Sequence, residues 1–308
     1  MRALAAALLL MVAAGCASIG AYNRSTPHDF GAVRVAEGER YGDGPRRTLD
    51  VYALAQRPER APVIVFLYGG GWSSGAKADY SFVGDAFAAQ GFVTVVPDYR
   101  VYPEVRFPGF VEDAASALRW VQENAARFGG DPDRIVLVGH SAGAHIAMLA
   151  ALDPRYAEAA GFDRRAIRGV VGLAGPYGFD NFDAPLLRNV FGEVADPLTT
   201  MPRHYARRDA ALILLLHGAR DRRVPVYSSE RMHETAGEVG QASEIKIYPS
   251  LDHPGILQAL GMARRDEGPV LTDALAFARR VTSERLIKLL REPHCRACRL
   301  LKIAKPGS

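Results

Sequence analysis

The stretch that decides the fold is RIVLVGHSAGAHIAMLAALD, residues 134–153. It opens with an apolar run, which is typical of a strand buried on both faces of a sheet. From Ala142 onward the stretch is rich in alanine and predicts a helix. Ser141 stands between the two parts, flanked by Gly139 and Gly143, and small neighbours are what a sharp, strained turn requires. The sequence therefore predicts a serine lifted above the end of a buried strand.

Apolar runs of strand length recur on both sides of this stretch and alternate with segments of helical spacing. Such alternation predicts an α/β fold, in which a mostly parallel sheet has helices on both faces. Near the N-terminus, two partly alternating runs joined by the turn-rich GDGPRR at 42–47 predict an antiparallel hairpin. The other predicted strands are PVIVFLYG (62–69), FVTVVPDY (92–99), IRGVVGLAG (167–175), ALILLLHG (211–218) and SEIKIYPS (243–250), and further helices are predicted within 79–90, 108–129, 226–239 and about 269–290.

Length and composition limit the class of protein. The chain has 308 residues, of which 48% are hydrophobic and 23% charged, so it has enough apolar surface for one large folded domain and wholesale disorder is excluded. We expect that domain to cover residues 31–290. Residues 176–209, rich in Pro, Phe and Asp, are longer than a usual connection between strands and predict a short cap insertion.

The first 15 residues have the features of an export signal. A single arginine precedes an apolar run of about 12 residues, which is shorter than the roughly 20 that span a bilayer, and small residues follow. Residues 13–16, Ala-Ala-Gly-Cys, resemble the bacterial lipobox, with alanine where Leu, Val or Ile is usual. This predicts an exported bacterial protein, periplasmic or anchored to a membrane through a lipid on Cys16. Signal cleavage without lipidation is the alternative, and residues 16–30 are predicted to be a polar tether.

The pattern G-x-S-x-G occurs twice, and only one copy has the context that nucleophilic chemistry needs. The copy at 139–143 follows an apolar strand and opens a helix, whose N-terminal N–H groups lie where an oxyanion would form. The copy at 71–75 follows a run of glycines, and no predicted helix starts within several residues of Ser73. We therefore predict Ser141 as the nucleophile and reject Ser73.

A serine hydroxyl needs a general base, and the base needs an acid that orients it. In folds with such a serine turn, the acid and then the base follow along the chain, each just beyond a strand. Asp221 follows ALILLLHG and His253 follows SEIKIYPS, so we predict them as acid and base. Asp196 and Asp252 are the alternative acids. The remaining histidines are expected to be packed, exposed or peripheral: His28, His140, His145, His204, His217, His233 and His294.

A second glycine-rich segment, YGGGW at 68–72, follows the predicted strand that ends at Leu67. Three consecutive glycines let the backbone approach a ligand closely with its N–H groups exposed. Fixed backbone donors stabilise a tetrahedral oxyanion by about 3 kcal/mol each. A phosphate-binding loop is disfavoured, because neither a Lys-Ser/Thr ending nor a G-x-G-x-x-G entering a helix is present.

Five short motifs, in chain order, resemble those of one enzyme family, the carboxylesterase branch of the α/β-hydrolases related to hormone-sensitive lipase. The resemblance covers about residues 40–260 and implies an α/β-hydrolase fold. The motifs are YGGGW at 68–72, PDYR at 97–100, GHSAG at 139–143, HGARD at 217–221 and LDHPG at 251–255.

The resemblance also implies which backbone groups would hold the oxyanion. By position, the donors are the amides of Gly70, Gly71 and Ala142. Tyr68 stands where the family usually has His, which leaves the glycine amides available but puts any hydrogen bond made by that His in doubt. Similar esterases with tyrosine at this position include arylformamidase-like enzymes, which cleave an amide.

The positive charge of the chain is concentrated at its C-terminus. The formal net charge is +4, yet nine Lys or Arg and only two Asp or Glu lie within 279–308, so the rest of the chain is mildly acidic. We therefore predict no nucleic-acid binding, and the basic tail at 291–308 favours weak contact with an anionic membrane surface. Cys295 and Cys298 form a C-x-x-C in this tail; the lack of a βαβ setting disfavours a thioredoxin-like redox site, and the lack of a second ligand pair disfavours a zinc site.

Together these features predict a serine carboxylesterase that hydrolyses small esters, short-chain or aryl, through an acyl-enzyme and without a metal or organic cofactor. An amidase or arylformamidase-like hydrolase that uses the same residues is the first alternative. A lipoprotein that uses the fold only for binding is the second.

Overall fold

The computed structural model describes residues 19–56, 58–179 and 182–284. In this part of the chain eight strands form one sheet in the order β1-β2-β4-β3-β5-β6-β7-β8. β2 pairs antiparallel with both β1 and β4, and all other neighbours are parallel. The predicted hairpin is present and the predicted α/β fold is confirmed. The strands are β1 Ala32–Arg40, β2 Thr48–Leu54, β3 Ala61–Leu67, β4 Val93–Pro97, β5 Gly130–His140, β6 Ile167–Leu173, β7 Leu212–Gly218 and β8 Ser243–Tyr248.

Helices follow most strands and cover the sheet. Every residue of β4 is buried, so helices and loops protect both faces of the sheet there. α4, which follows β5, is buried along its whole length and lies in the core beneath α3. The helices are α1 at 19–25, α2 Ser81–Ala88, α3 Gly109–Asn124, α4 Ala142–Leu152, α5 Pro154–Ala160, α6 Pro185–Phe191, α7 Tyr227–Glu238, α8 His253–Gln258 and α9 Val270–Val281.

α9 is shorter than the helix predicted at 269–290 from the sequence. α9 ends at Val281 because the backbone of Thr282 leaves the helical region, with φ −97° and ψ 1°. The Thr282 hydroxyl donates to the carbonyl oxygen of Ala278 at 2.7 Å, a local bond that competes with the helical pattern. In the part of the chain that the structure describes, no helix has the length and apolarity needed to cross a membrane.

The N-terminal segment differs from the predicted tether in its described part, residues 19–30. This part begins as a helix and packs on the domain. The ring of Tyr22 stands edge-on against Phe82, with centroids 5.1 Å apart, and its hydroxyl donates to the carbonyl oxygen of Gln258 at 2.8 Å. Asp29 accepts two hydrogen bonds of 2.8 Å from Arg265. Partners this distant in the chain leave no local pattern in the sequence, which explains why this polar, aperiodic stretch predicts a tether.

The predicted cap insertion lies between β6 and β7. It contains α6 and two short 3₁₀ turns, Pro197–Thr200 and Pro202–Tyr205. Aromatic rings fasten it to the glycine-rich loop after β3, since Phe191 stands edge-on to Trp72 with ring centroids 5.0 Å apart. Phe179 contacts the same tryptophan at 6.0 Å. The cap therefore packs directly beside the predicted oxyanion loop.

Candidate active site

Ser141 is the single residue between β5 and α4. Its φ of 54° and ψ of −122° are a strained conformation for a residue with a side chain. The close packing explains the neighbouring glycines, because a Cβ at Gly143 would collide with the carbonyl groups of Leu67 and Tyr68. A Cβ at Gly139 would meet the backbone of Gly143. The strand-to-helix turn thus holds the Ser141 hydroxyl at the carboxyl edge of the parallel strands.

The structure brings Ser141, His253 and Asp221 together in a hydrogen-bonded row. His253 Nε2 lies 2.9 Å from Ser141 Oγ, and His253 Nδ1 lies 2.7 Å from Asp221 Oδ2. His253 opens α8 in the loop after β8, and Asp221 lies in the loop after β7. Both side chains are buried. Nδ1 therefore carries the proton donated to the carboxylate, which leaves Nε2 free to accept the serine proton.

Asp221 is held as a carboxylate by several donors. Burial would raise its pKa, but hydrogen bonds from His217 and His253 and from the Val224 amide outweigh burial, and its pKa lies well below the usual range. The amides of Arg223 and Val224 donate to Oδ1 at 2.8 and 2.9 Å. His217 Nε2 lies 3.2 Å from Oδ2. Sequence reasoning missed this contact, although the four-residue spacing in HGARD was its signal.

The predicted oxyanion donors lie around Ser141. Gly70 and Gly71 have φ of 128° and 60°, and only glycine adopts such conformations without strain. A Cβ at Gly69 would lie 3.0 Å from the Cβ of Ser141, so the loop passes directly beside the nucleophile. Ala142 is the first residue of α4, where a helix leaves its N–H groups unpaired. All three predicted donors therefore belong to segments that meet at Ser141.

Tyr68, which stands where the family usually has His, is held by a hydrogen bond and by ring stacking. Its hydroxyl donates to Asp98 Oδ1 at 2.7 Å, and the same oxygen accepts the amide of Lys77 at 2.7 Å. The ring is stacked between Tyr80 and Tyr99, with centroids 5.1 and 4.5 Å away. Burial raises the pKa of Tyr68 well above its usual value, so the phenol remains a neutral donor. Asp98 of the PDYR motif thus holds Tyr68 and Lys77, which lie on either side of the glycine loop.

A buried histidine connects three parts of the site. Trp72 Nε1 donates to His145 Nδ1 at 3.3 Å, and His145 Nε2 lies 2.7 Å from the carbonyl oxygen of Thr200. Burial lowers the pKa of His145 to about 4, so the ring is neutral and Nε2 carries the proton. The glycine loop, α4 and the cap are therefore linked through one imidazole. From the sequence this histidine was expected only to be packed or exposed.

The rejected and alternative residues make local contacts instead. Ser73 Oγ points back to the carbonyl oxygen of Gly70 at 3.4 Å. Asp252 caps α8 by accepting the amide of Gly255 at 2.8 Å, and Asp196 accepts the amide of Leu198 at 3.0 Å. The structure therefore gives both alternative acids a capping role. Among the described residues, no group of three His, Cys, Asp or Glu is placed to hold a metal ion. Cys16, Cys295 and Cys298 lie outside the described residues.

A cavity of about 650 Å³ lies over Ser141. This volume is in the range of small-molecule sites. Its walls come from the glycine loop, the cap, the loop after Asp221 and the N-terminal segment, which contributes Ile19. Most of the lining is apolar, including Phe179, Leu186 and Leu187. The arrangement can therefore hold an organic substrate with its reacting carbon beside the serine.

Comparisons with known proteins give one consistent result. Residues 49–236 match the BD-FAE family. Isoprenylcysteine alpha-carbonyl methylesterase ICME of Arabidopsis thaliana is 30% identical over 300 residues, covering 85% of this chain and 70% of the plant protein. Esterase LipC of Mycobacterium tuberculosis is 34% identical over 221 residues, covering 66% of this chain and 55% of LipC. Among solved structures, a thermophilic esterase of Thermogutta terrifontis bound to propionate has a similar fold, with a TM-score of 0.67 and 27% sequence identity. The match covers 80% of this chain and 94% of that one.

The chain spans only part of several curated relatives. It covers 60% of the length of a rice homologue of the plant methylesterase, as well as the 55% of LipC. The region matched by the family contains the strands from β2 to β7 and the serine turn, since the match begins in β2 and ends in α7.

Proposed function

Because the chain belongs to the BD-FAE family of the α/β-hydrolase superfamily, we propose that it is a serine carboxylesterase that uses Ser141, His253 and Asp221. The observation that carries the proposal is the hydrogen-bonded row from Ser141 Oγ through His253 to Asp221, with steps of 2.9 and 2.7 Å. A nucleophile, a base and an orienting acid in this order are what acyl transfer requires. The relatives named as esterases support the same activity.

The reaction proceeds in two halves. His253 Nε2 takes the proton of Ser141 as Oγ attacks the ester carbonyl carbon, and the amides of Gly70, Gly71 and Ala142 stabilise the oxyanion. His253 then gives that proton to the leaving alcohol, and the acyl group stays on Ser141. A water molecule activated by His253 attacks the acyl-enzyme and releases the acid. Asp221 remains ionised throughout, which keeps Nδ1 protonated and stabilises the imidazolium.

The cavity favours substrates of modest size. Its volume of about 650 Å³ and its aromatic lining, including Trp72, Tyr80 and Phe179, suit a short acyl chain or an aryl group. The Thermogutta terrifontis esterase was solved with propionate, a short acid, and this supports the same preference. Long triglyceride chains would need a deeper cavity.

The two copies of the G-x-S-x-G pattern provide a test variant, at Ser141, and a control variant, at Ser73. We expect Ser141→Ala to lower kcat for p-nitrophenyl butyrate by about a thousandfold or more and to abolish labelling by a fluorophosphonate probe. Ser73→Ala should still be labelled, because His253 pairs with Ser141 and the Ser73 hydroxyl donates to the Gly70 carbonyl oxygen. Equal activity of wild type and Ser141→Ala would refute the proposal. A parallel assay with an N-formyl anilide shows whether an amide is the better substrate.

We also propose that the chain is exported and carries a lipid on Cys16. The support is the sequence of the first 16 residues, a charged start, an apolar run and the lipobox-like Ala-Ala-Gly-Cys. Metabolic labelling with an alkyne-palmitate should mark the wild-type protein and Cys295→Ser but not Cys16→Ser. The Cys16→Ser protein should also leave the membrane fraction. Equal labelling of the two variants would refute lipidation at Cys16.

A further inference from the structure

Two arginines line the cavity over Ser141. Arg222 and Arg223 follow Asp221 directly, and both belong to the cavity wall together with Val224 and Pro225. Their side chains are exposed rather than packed into the core. The backbone of this loop is fixed, because the amides of Arg223 and Val224 donate to Asp221 Oδ1 at 2.8 and 2.9 Å. The loop that positions the acid therefore also presents two cations to the substrate space.

Among the described residues, these two cations differ from most other arginines in having no ion-pair partner. Other arginines of the domain are paired, such as Arg100 with Asp113 and Arg265 with Asp29, each at 2.8 Å. No carboxylate of the described residues forms an ion pair with Arg222 or Arg223. The described lining of the cavity also contains no Asp or Glu. The wall is thus apolar with positive charge on one side.

Arg223 also acts on a buried group of the cavity lining. His140, which lies beside Ser141 and also lines the cavity, has a pKa lowered to about 3. Burial is the main cause; of the two charged groups in the loop after β7, the carboxylate of Asp221 raises this pKa and the cation of Arg223 lowers it. In a cleft with low-dielectric walls and one sign of charge, the field is focused on the ligand. An anion in the cavity would therefore be attracted by Arg223, while no described lining group would repel it.

We propose that the esterase selects esters bearing an anionic group, a carboxylate or a phosphate, and that Arg222 and Arg223 bind this group. The proposal rests on the esterase activity proposed above and names its substrate class. A guanidinium presents a planar fork of N–H donors that matches a carboxylate or a phosphate. The apolar wall formed by Phe179, Leu186 and Leu187 would take the uncharged remainder of the substrate. The preferred substrate is therefore a small ester with one anionic end and one apolar end, rather than an uncharged ester.

The test compares anionic esters with neutral esters of similar size. p-Butyryloxybenzoate and p-butyryloxyphenyl phosphate carry the anion on the alcohol side, and methyl p-butyryloxybenzoate is their neutral partner. Mono(p-nitrophenyl) glutarate carries the anion on the acyl side, and p-nitrophenyl valerate is its neutral partner. The ratio of kcat/KM within each pair is the selectivity. The pair with the largest ratio shows which anion is preferred and on which side of the scissile bond it lies.

The variants remove charge from the cavity wall or from a nearby surface. Arg222→Gln combined with Arg223→Gln removes both cations and leaves the backbone bond to Asp221 in place. Arg208→Gln combined with Arg220→Gln removes the same net charge from exposed residues outside the cavity lining. Substitution of exposed side chains is expected to leave folding intact. We expect the first variant to lose about tenfold in selectivity, mainly through KM, and the control to lose less than twofold.

Each outcome separates this proposal from the proposed activity. Loss of anion selectivity, measured as the ratio of kcat/KM within a pair, in the cavity variant alone supports it. The wild-type selectivity should also fall when salt is raised from 20 mM to about 500 mM, because exposed charges are screened. Unchanged selectivity in the cavity variant, or an equal loss in the control variant, overturns the proposal and leaves the esterase activity standing. Absence of wild-type hydrolysis of every ester overturns both.

Discussion

The buried histidine that links the glycine loop to the cap gives the sharpest test of how the site is held together. His145 is fully buried, and its two ring nitrogens pair with Trp72 Nε1 at 3.3 Å and the Thr200 carbonyl oxygen at 2.7 Å. His145→Phe keeps a ring of nearly the same size and removes both nitrogens. Both partners belong to buried residues, so each would be left without its hydrogen bond. A buried group that loses its partner costs about 1–3 kcal/mol.

We therefore expect His145→Phe to lower the free energy of unfolding by about 3 kcal/mol, measured by urea unfolding. Trp72 follows Gly71 directly, so loss of its bond should also loosen the predicted oxyanion loop. Loss of a whole oxyanion donor costs about 10²- to 10³-fold in kcat, and a loosened one should cost about tenfold or more. KM should change little, because the cavity walls remain. kcat and KM for p-nitrophenyl butyrate measure this separation.

A control histidine lies away from the site. His233 Nδ1 lies 2.7 Å from Ser243 Oγ, so His233→Phe also removes a ring hydrogen bond. It should cost about 1 kcal/mol in stability and leave kcat unchanged. If His145→Phe unfolds at the wild-type urea concentration, or if its kcat stays within twofold of wild type, the link between loop and cap is not what the geometry indicates.

Three further predictions follow from the electrostatics and hydrogen bonds of the site. Asp221→Asn should lower kcat by about 10³- to 10⁴-fold with little change in KM, and a loss below tenfold would contradict its role as the orienting acid. His140 and His145 are buried with pKa values lowered to about 3 and about 4, so the unfolded chain takes up more protons on acidification. Stability should thus be full above about pH 6.5 and fall by about 1.4 kcal/mol per pH unit per histidine toward pH 4, and a flat urea midpoint would refute this. Tyr68→Phe should cost about 1–2 kcal/mol by removing a donor from Asp98, and an unchanged thermal midpoint would show that the bond is dispensable.

The predicted nucleophile, acid and base could be found from the sequence because each has a recognisable position relative to a predicted strand. Ser141, Asp221 and His253 each follow a strand that the sequence predicts, and parallel strands bring their carboxyl ends to one edge of the sheet. Their approach to within hydrogen-bonding distance follows from topology, even though Ser141 and His253 are 112 residues apart.

The residues that the sequence did not identify depend on contacts between distant elements with irregular backbone. Thr200 offers His145 its backbone carbonyl oxygen from a 3₁₀ turn of the cap, so its side-chain identity carries no signal. Tyr22 reaches Gln258 across 236 residues, again through a backbone carbonyl. Periodicity reports which face of an element is buried and does not report which loop covers it. For this reason the sequence predicts that the cap and the N-terminal segment lie outside the regular strands and helices, but it does not predict which residues they contact.

The docked N-terminal segment changes the meaning of the proposed lipid anchor. Ile19 lines the same cavity as Ser141, so Cys16 lies only three positions along the chain from the wall of the candidate active site. Three residues extend over at most about 11 Å, whatever conformation they adopt. A lipid on Cys16 would therefore hold the cavity close to the bilayer surface rather than at the end of a long tether. At such a surface, small amphiphilic esters with a charged head are concentrated, and the arginines and apolar wall of the cavity match that chemistry. Removal of the lipid should then reduce turnover of esters presented in vesicles while leaving turnover of dissolved esters unchanged.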